Sequence, residues 1–228
     1  MDVTIVGSGA QSNLEGQVDP SAQAMRVSLR PAEWAPQGSV LGGHYQCGAQ
    51  TGTMAAGIAS AAQVFQIRWG DPAKLFILKK LTVQCATLTG FAATSLGAPL
   101  ELIVGHGSTA NGSGGTALGI NSISNRMRGV MAASAFVTSG EIRIASTAAL
   151  TAATGQTLEA AALSECMGAV ATTNLQSPVM PLFEQRDFGT HPLVLNSGDS
   201  LVVRTLNPAG TGTWVACFTM EWLESVNY

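Results

Sequence analysis

The sequence predicts an all-β chain: an antiparallel, jelly-roll-like β-sandwich over residues 46–228, preceded by an extended N-terminal arm over residues 1–45. Two observations predict it. From Ser197 to Glu224 two apolar runs flank the turn-rich connection Asn207-Pro208-Ala209-Gly210-Thr211-Gly212. In the second run Trp214, Ala216, Phe218, Met220 and Trp222 alternate with Val215, Cys217, Thr219, Glu221 and Leu223. Period two places both tryptophans and the phenylalanine on one face, which must be buried. At ~3.4 Å per residue that run spans roughly 35 Å, the length of a central strand. Similar short alternating runs, bounded by turn residues, also recur along the chain, and closing two sheets over one core buries one-sided strands of this kind. A β-barrel or another Greek-key sandwich is the alternative architecture.

Taken in order, residues 1–45 are weakly periodic, broken by Pro20, Pro31 and Pro36, with one short strand candidate at Met25–Arg30. So little apolar periodicity cannot build a core, and the segment is expected to lie along a neighbouring subunit. The opening DVTIVGSGAQS resembles a dinucleotide-binding turn, but Ser12 stands where the third glycine is needed, and Gly16 and Pro20 interrupt the required helix. Tyr45–Ala62 is rich in small residues and reads as a loop or a poorly specified helix, with Gly52 and Gly57 against the helix. Val64–Trp69 alternates as a strand, with Phe65, Ile67 and Trp69 opposite Gln66 and Arg68, and Gly70-Asp71-Pro72 is a turn.

Leu75–Leu88 is a long strand in which Leu81, Val83 and Cys85 face one way and Lys80, Thr82 and Gln84 the other. Lys79 falls on the apolar parity, so a bend or bulge is expected at the Lys79-Lys80 pair. Pro99–Val104 is a shorter strand. Gly105–Gly119 is glycine-rich and reads as a long flexible hairpin loop. Met127–Val137 and Glu141–Ala145 read as strands around Ser139-Gly140. Between Ser146 and Asn174, Leu158, Ala162 and Cys166 form one helical stripe, marginal without tertiary packing. Pro178 and Pro181 close that segment, and His191–Leu195 leads through Asn196–Asp199 into a C-terminal hairpin.

Charged residues make up only 11% of the chain, against a usual quarter or so, with net charge −3. An exterior of Gly, Ala, Ser, Thr, Gln and Asn points to protein–protein contact and obligate assembly. The acidic balance, with a single adjacent basic pair, argues against nucleic acid as a partner. No run approaches the ~18 apolar residues of a membrane helix, so no membrane partner is expected. Arg26 is the first cation, so a secretory signal is not expected and synthesis in the cytoplasm is. Cys47, Cys85, Cys166 and Cys217 are widely spaced and expected to be free, buried thiols.

Candidate chemistry is sparse. His44 and Cys47 lie close in sequence, but only His106 and His191 remain to complete a metal site. Ser108 with His106 or His191 and Asp187 or Asp199 would make a hydrolase, though without a G-x-S-x-G elbow. Trp34, Tyr45 and Tyr228 would serve a carbohydrate-binding sandwich if exposed. The favoured reading has no catalytic, cofactor-binding or metal residue, no cofactor and no enzymatic activity.

Four patches, GQVDPSAQAMRVSLRPAEW, GTMAAGI followed by FQIRW, HPLVL before GDSLVVR, and GTGTWVACFTMEWLE, resemble a family of tailed-bacteriophage virion proteins. The resemblance implies a jelly-roll structural protein on the virion, a capsid decoration or cement subunit. Its implied partners are the major capsid protein and copies of itself, with a trimer preferred. Capsid surface and tail are both open as its station.

Overall fold

In a computed structural model the chain divides into residues 1–36 and residues 37–228. The structure describes residues 42–92, 98–120, 125–127, 132–169, 175–185, 192–206 and 210–226, together with four two-residue strands in the first unit. In that unit β1 (Thr4–Ile5) pairs antiparallel with β2 (Leu14–Glu15), and β3 (Val18–Asp19) with β4 (Ala24–Met25). A strand thus stands at Leu14–Glu15, where a dinucleotide-binding unit needs helix. The end of the expected arm is not an arm, since residues 42–45 open β5 in the sandwich, where they pair with the end of β17; residues 26–41, including Arg26–Arg30, lie outside the described residues.

The second unit is built from β5 (Gly42–Gln50), β6 (Met54–Ala55), β7 (Gln63–Trp69), β8 (Leu75–Thr87), β9 (Ala98–His106), β10 (Thr116–Ala117), β11 (Gly140–Ile144), β12 (Thr157–Leu158), β13 (Ser164–Ala169), β14 (Met180–Glu184), β15 (Leu193–Leu195), β16 (Ser200–Thr205) and β17 (Thr213–Ser225). Sheet I runs β10-β11-β7-β16-β9-β12, with β13 also on β9. Sheet II runs β14-β8-β17-β5, with β15 also on β8 and β6 on β17. The main strands pair as a nested ribbon: β5 with β17, β7 with β16, β8 with β14 and β15, and β9 with β13. A first-with-last ribbon rolled across two antiparallel sheets is a jelly roll.

The core follows the sequence pattern. Trp214, Ala216, Phe218, Met220 and Trp222 of β17 are all buried, as are Phe65, Ile67 and Trp69 of β7. Phe65 of sheet I stacks on Phe218 of sheet II with ring centroids 4.8 Å apart, joining the layers. The bulge lies where the parity break places it: Glu221 pairs with Lys80 and Trp222 with Leu78, so Lys79 is passed over. That one extra residue lets Phe76 and Leu78 share the inward face with Leu81, Val83 and Cys85, all buried.

Five further expectations fail, each because a tertiary contact overrides the local pattern. The C-terminal runs are not a hairpin, since β16 lies in sheet I and β17 in sheet II. Tyr45–Ala62 begins as strand, because β5 pairs with β17 along its whole length. Among the described residues of Met127–Val137 there is no strand; Ala135–Val137 is a 3-10 turn capped by the Ser134 hydroxyl, which accepts from the Phe136 amide. The stripe of Leu158, Ala162 and Cys166 is not a helix, because β12 and β13 pair with the edge of β9 instead. Finally, sheet I is not one-sided.

That last difference explains the glycine-rich stretch. Gln66, Ile103, Ser200 and Val202 point away from the core yet are buried. Gly112 closes on the Gln66 side chain and Gln156 donates to the Ser200 hydroxyl at 2.7 Å, from two segments that pair through Ala110 to Thr154 and Ser113 to Thr151. At Gly115 φ is +54°, and a Cβ there would collide with the Ile144 carbonyl. Glycine serves close packing here, and the segment is a cover on sheet I instead of a flexible hairpin.

Candidate functional site

The strand registers gather chemistry at one end of the sandwich. Trp69 ends β7, His106 ends β9 and Ser225 ends β17, while Ser200 opens β16 opposite Gly105 and Leu75 opens β8 opposite Ser225. The turn before β16 therefore delivers Asp199 to His106. His106 Nδ1 lies 2.8 Å from Asp199 Oδ1, and Nε2 lies 3.0 Å from Glu159 Oε1. Asp199 is oriented by its own turn, its Oδ2 accepting from the Asn196 amide at 2.8 Å. Bonding to Asp199, then to Glu159, raises the His106 pKa above its ordinary 6.5.

This brings together two members of the hydrolase constellation without its chemistry. A serine nucleophile needs the imidazole nitrogen remote from the aspartate as its base. Here Glu159 occupies that nitrogen, and the buried Ser108 hydroxyl has no hydrogen-bond partner among the described residues. His191 and Asp187 lie outside the described residues. His44 and Cys47 do not form a metal pair: three residues apart on one strand they point to opposite faces, His44 to Glu221 at 2.7 Å and Cys47 into the core. Among the described residues no group of three or more His, Cys, Asp or Glu side chains is arranged to hold a metal ion.

Tyr45 is no glycan platform. It is fully buried, stacks on Trp222 with centroids 5.4 Å apart and donates its hydroxyl to the Ala132 carbonyl at 3.0 Å. Trp34 and Tyr228 lie outside the described residues. All four cysteines are free, but only Cys47 and Cys85 are buried; Cys166 is half-buried and Cys217 exposed. Cys217 sits on the outward parity of β17 over a face nothing in the described chain covers. Burial pushes the Cys47 thiol up to about 12 and the Cys166 thiol to about 11, which leaves both unreactive at neutral pH.

Sequence reasoning missed Glu224. It continues the inward-facing parity of β17 two residues beyond Trp222, and the structure buries it. Its Oε1 accepts from the Ser134 hydroxyl at 2.6 Å and from Trp222 Nε1 at 3.1 Å, and its Oε2 accepts from the Ala135 amide at 2.9 Å. Lys74 Nζ stands 3.9 Å away. Burial outweighs these partners and raises the Glu224 pKa above its ordinary 4.5. The carboxylate holds the Ser134–Val137 turn over the end of the core, where Phe136 packs edge-on to Trp69 and Trp222 at 5.0 and 5.7 Å. Its parity with Trp222 was the available signal, but a charged residue at a strand end reads as solvated, and the turn that satisfies it comes from 90 residues earlier in the chain.

The two outer faces differ. Sheet I is covered by its own loops, whereas sheet II exposes Gln46, Gly48, Gln50, Cys217 and Thr219. Its charges fall in one row near the end of the sandwich, His44 with Glu221 and Lys80 with Glu184. Leu163, Leu175 and Val179, exposed by 45%, 44% and 61%, flank β13 and β14, whose edges are tied by the Ser164 hydroxyl donating to the Leu182 carbonyl. Compared with protein-family models, with curated proteins and with solved structures, the chain matches none.

Proposed function

We propose that this chain is a non-enzymatic structural subunit of a tailed-bacteriophage particle, a decoration or cement protein that bridges neighbouring capsid subunits. The observation that carries the reading is the contrast between the outer faces. On the outer face of sheet II a polar patch of Gln46, Gly48, Gln50, Cys217 and Thr219, beside a row of paired charges, is left exposed, while Gln66, Ile103, Ser200 and Val202 on the outer face of sheet I are buried under the chain itself. Desolvating amides and hydroxyls costs far less than desolvating charges, so such a face suits burial against another chain. The low charge content of the whole sequence, 11%, and the exposed Leu163, Leu175 and Val179 support the same reading. The N-terminal segment adds a second attachment, and several weak contacts per subunit sum to firm binding on a multivalent shell.

The test is copurification with particles. Full-length chain is expected to sediment with capsids, and a chain lacking residues 1–40 to remain folded but fall off. Thr219→Arg, which places a charge on the bare face, is expected to lower occupancy without lowering the melting temperature. Full occupancy by both variants would reject the subunit reading.

A further inference from the structure

We propose that His106, Glu159 and Asp199 form a proton-gated clasp that holds the chain after β12 against the end of β9 while the imidazole carries both its protons, and frees it when one is lost. The proposal stands independently of the subunit reading above.

The geometry sets the protonation state. A carboxylate can only accept, so each ring nitrogen must donate to the oxygen it faces. Nδ1 faces Asp199 at 2.8 Å and Nε2 faces Glu159 at 3.0 Å, and both bonds together require the imidazolium. A neutral ring keeps one bond and turns a lone pair toward the other carboxylate. Arg68 on β7 brings a further charge to the loop that leaves His106. Its guanidinium donates to the Ser108 and Thr109 carbonyls at 3.3 Å each and to Asn111 Oδ1 at 3.1 Å. Further along β9, Glu101 pairs with Arg204, and Glu165 of β13 lies opposite Glu101.

What the clasp holds is lightly attached otherwise. Thr157 and Leu158 pair with His106 and Gly105, the Glu159 amide bonds the Val104 carbonyl at 2.9 Å, and the next anchor is the Leu163 amide on Leu102 at 2.8 Å. Between those anchors Ala160 and Ala161 are exposed. Loss of the Glu159 bond therefore removes the one side-chain tie between the segment and the His106 ring, and its release uncovers the edge of β9 from Val104 to His106.

The full-length protein, labelled with ¹³C-histidine, is titrated from about pH 5 to 9 by NMR, with His106→Asn assigning the resonance among the three histidines. His106 is expected to titrate above 6.5, and Glu159→Gln and Asp199→Asn each to lower that value. Amide exchange at Glu159 and Leu163, corrected for intrinsic pH dependence, is expected to rise about tenfold through the same titration, the scale of one charge-assisted hydrogen bond. In Glu159→Gln that step disappears. A His106 titration at or below 6.5, or an exchange step that survives in both Glu159→Gln and His106→Asn, overturns the clasp.

Discussion

Replacing Glu224 by alanine tests the account of the sandwich end most directly. The substitution strands four groups in a buried site: the Ser134 hydroxyl, the Ala135 amide, Trp222 Nε1 and the Lys74 ammonium. Removing one partner of a buried, charged network costs about 3–5 kcal/mol, because the groups left behind keep their desolvation penalty and lose their compensation. For a folded unit of this size each kcal/mol moves the melting temperature by roughly 2–4 °C, so a fall of roughly 6–20 °C is expected. Urea unfolding followed by tryptophan fluorescence gives the free energy. Calorimetry gives the shift. A loss below about 1 kcal/mol would refute the claim that this carboxylate holds the Ser134–Val137 turn.

The same residue fixes a pH dependence. Burial raises its pKa above 4.5, so the folded state binds the proton more readily than the unfolded chain does. The resulting stabilisation is fully present below pH 4.5 and is lost as pH rises through the raised value. Glu224→Gln abolishes this titration, so the wild type should lose ground against that variant as pH rises from 4.5 toward neutrality. If the wild type instead gains ground, solvation of the carboxylate is not what dominates at this site.

Phe218→Ala removes the ring that stacks across the layers on Phe65 and should cost about 3–5 kcal/mol in urea unfolding. Gly115→Ala should destabilise by at least about 2 kcal/mol, since it combines a left-handed φ with a collision on the Ile144 carbonyl; a neutral result would return residues 105–119 to the flexible hairpin of the sequence reading. A water-soluble disulfide reagent should modify Cys217 rapidly in the native protein while Cys47 and Cys85 react only after unfolding, and fast labelling of Cys85 would contradict the packing of β8. Tyr45→Phe should cost about 0.5–1.5 kcal/mol through loss of the bond to Ala132, with no effect on any carbohydrate retention.

Strand-level information was legible wherever burial is one-sided and decided by a residue's own parity. β17 is read correctly along its inward face, and Lys79 marks the bulge of β8 in advance because a lysine on an apolar parity has few other solutions. Legibility fails where a distant segment changes what a face meets. Gln66 reads as solvent-facing and is buried against Gly112 of the covering segment; its side-chain Nε2 donates to Gln63 Oε1 at 2.9 Å. Glu224 keeps the inward parity of β17, but the Ser134 and Ala135 groups that satisfy it come from a distant turn that its neighbours in sequence do not reveal. For the site, the sequence names His106 and Asp199 as possible partners but not Glu159, which reaches the ring only because β12 pairs with the last two residues of β9.

The clasp shares its end of the sandwich with the Glu224 cluster. Both titratable clusters sit at the end where β7, β9 and β17 finish, and both the His106 and the Glu224 pKa values are raised. A raised pKa on an imidazole and on a carboxyl have one thermodynamic sign, so each contributes stabilisation that fades as pH rises, Glu224 first above 4.5 and His106 above 6.5. The loops they hold differ: Glu224 seals the core with Phe136, and His106 secures an edge strand. Alkaline pH should therefore loosen the edge of β9 while the Phe136 plug stays packed by its aromatic contacts. Amide exchange resolves the order, since Glu159 should lose protection across the His106 titration while the Thr138 amide, bonded to Ala135 at 3.0 Å, retains it. Simultaneous loss at both positions would mean that this end of the sandwich opens as one cooperative unit and that the two clusters are not separate devices.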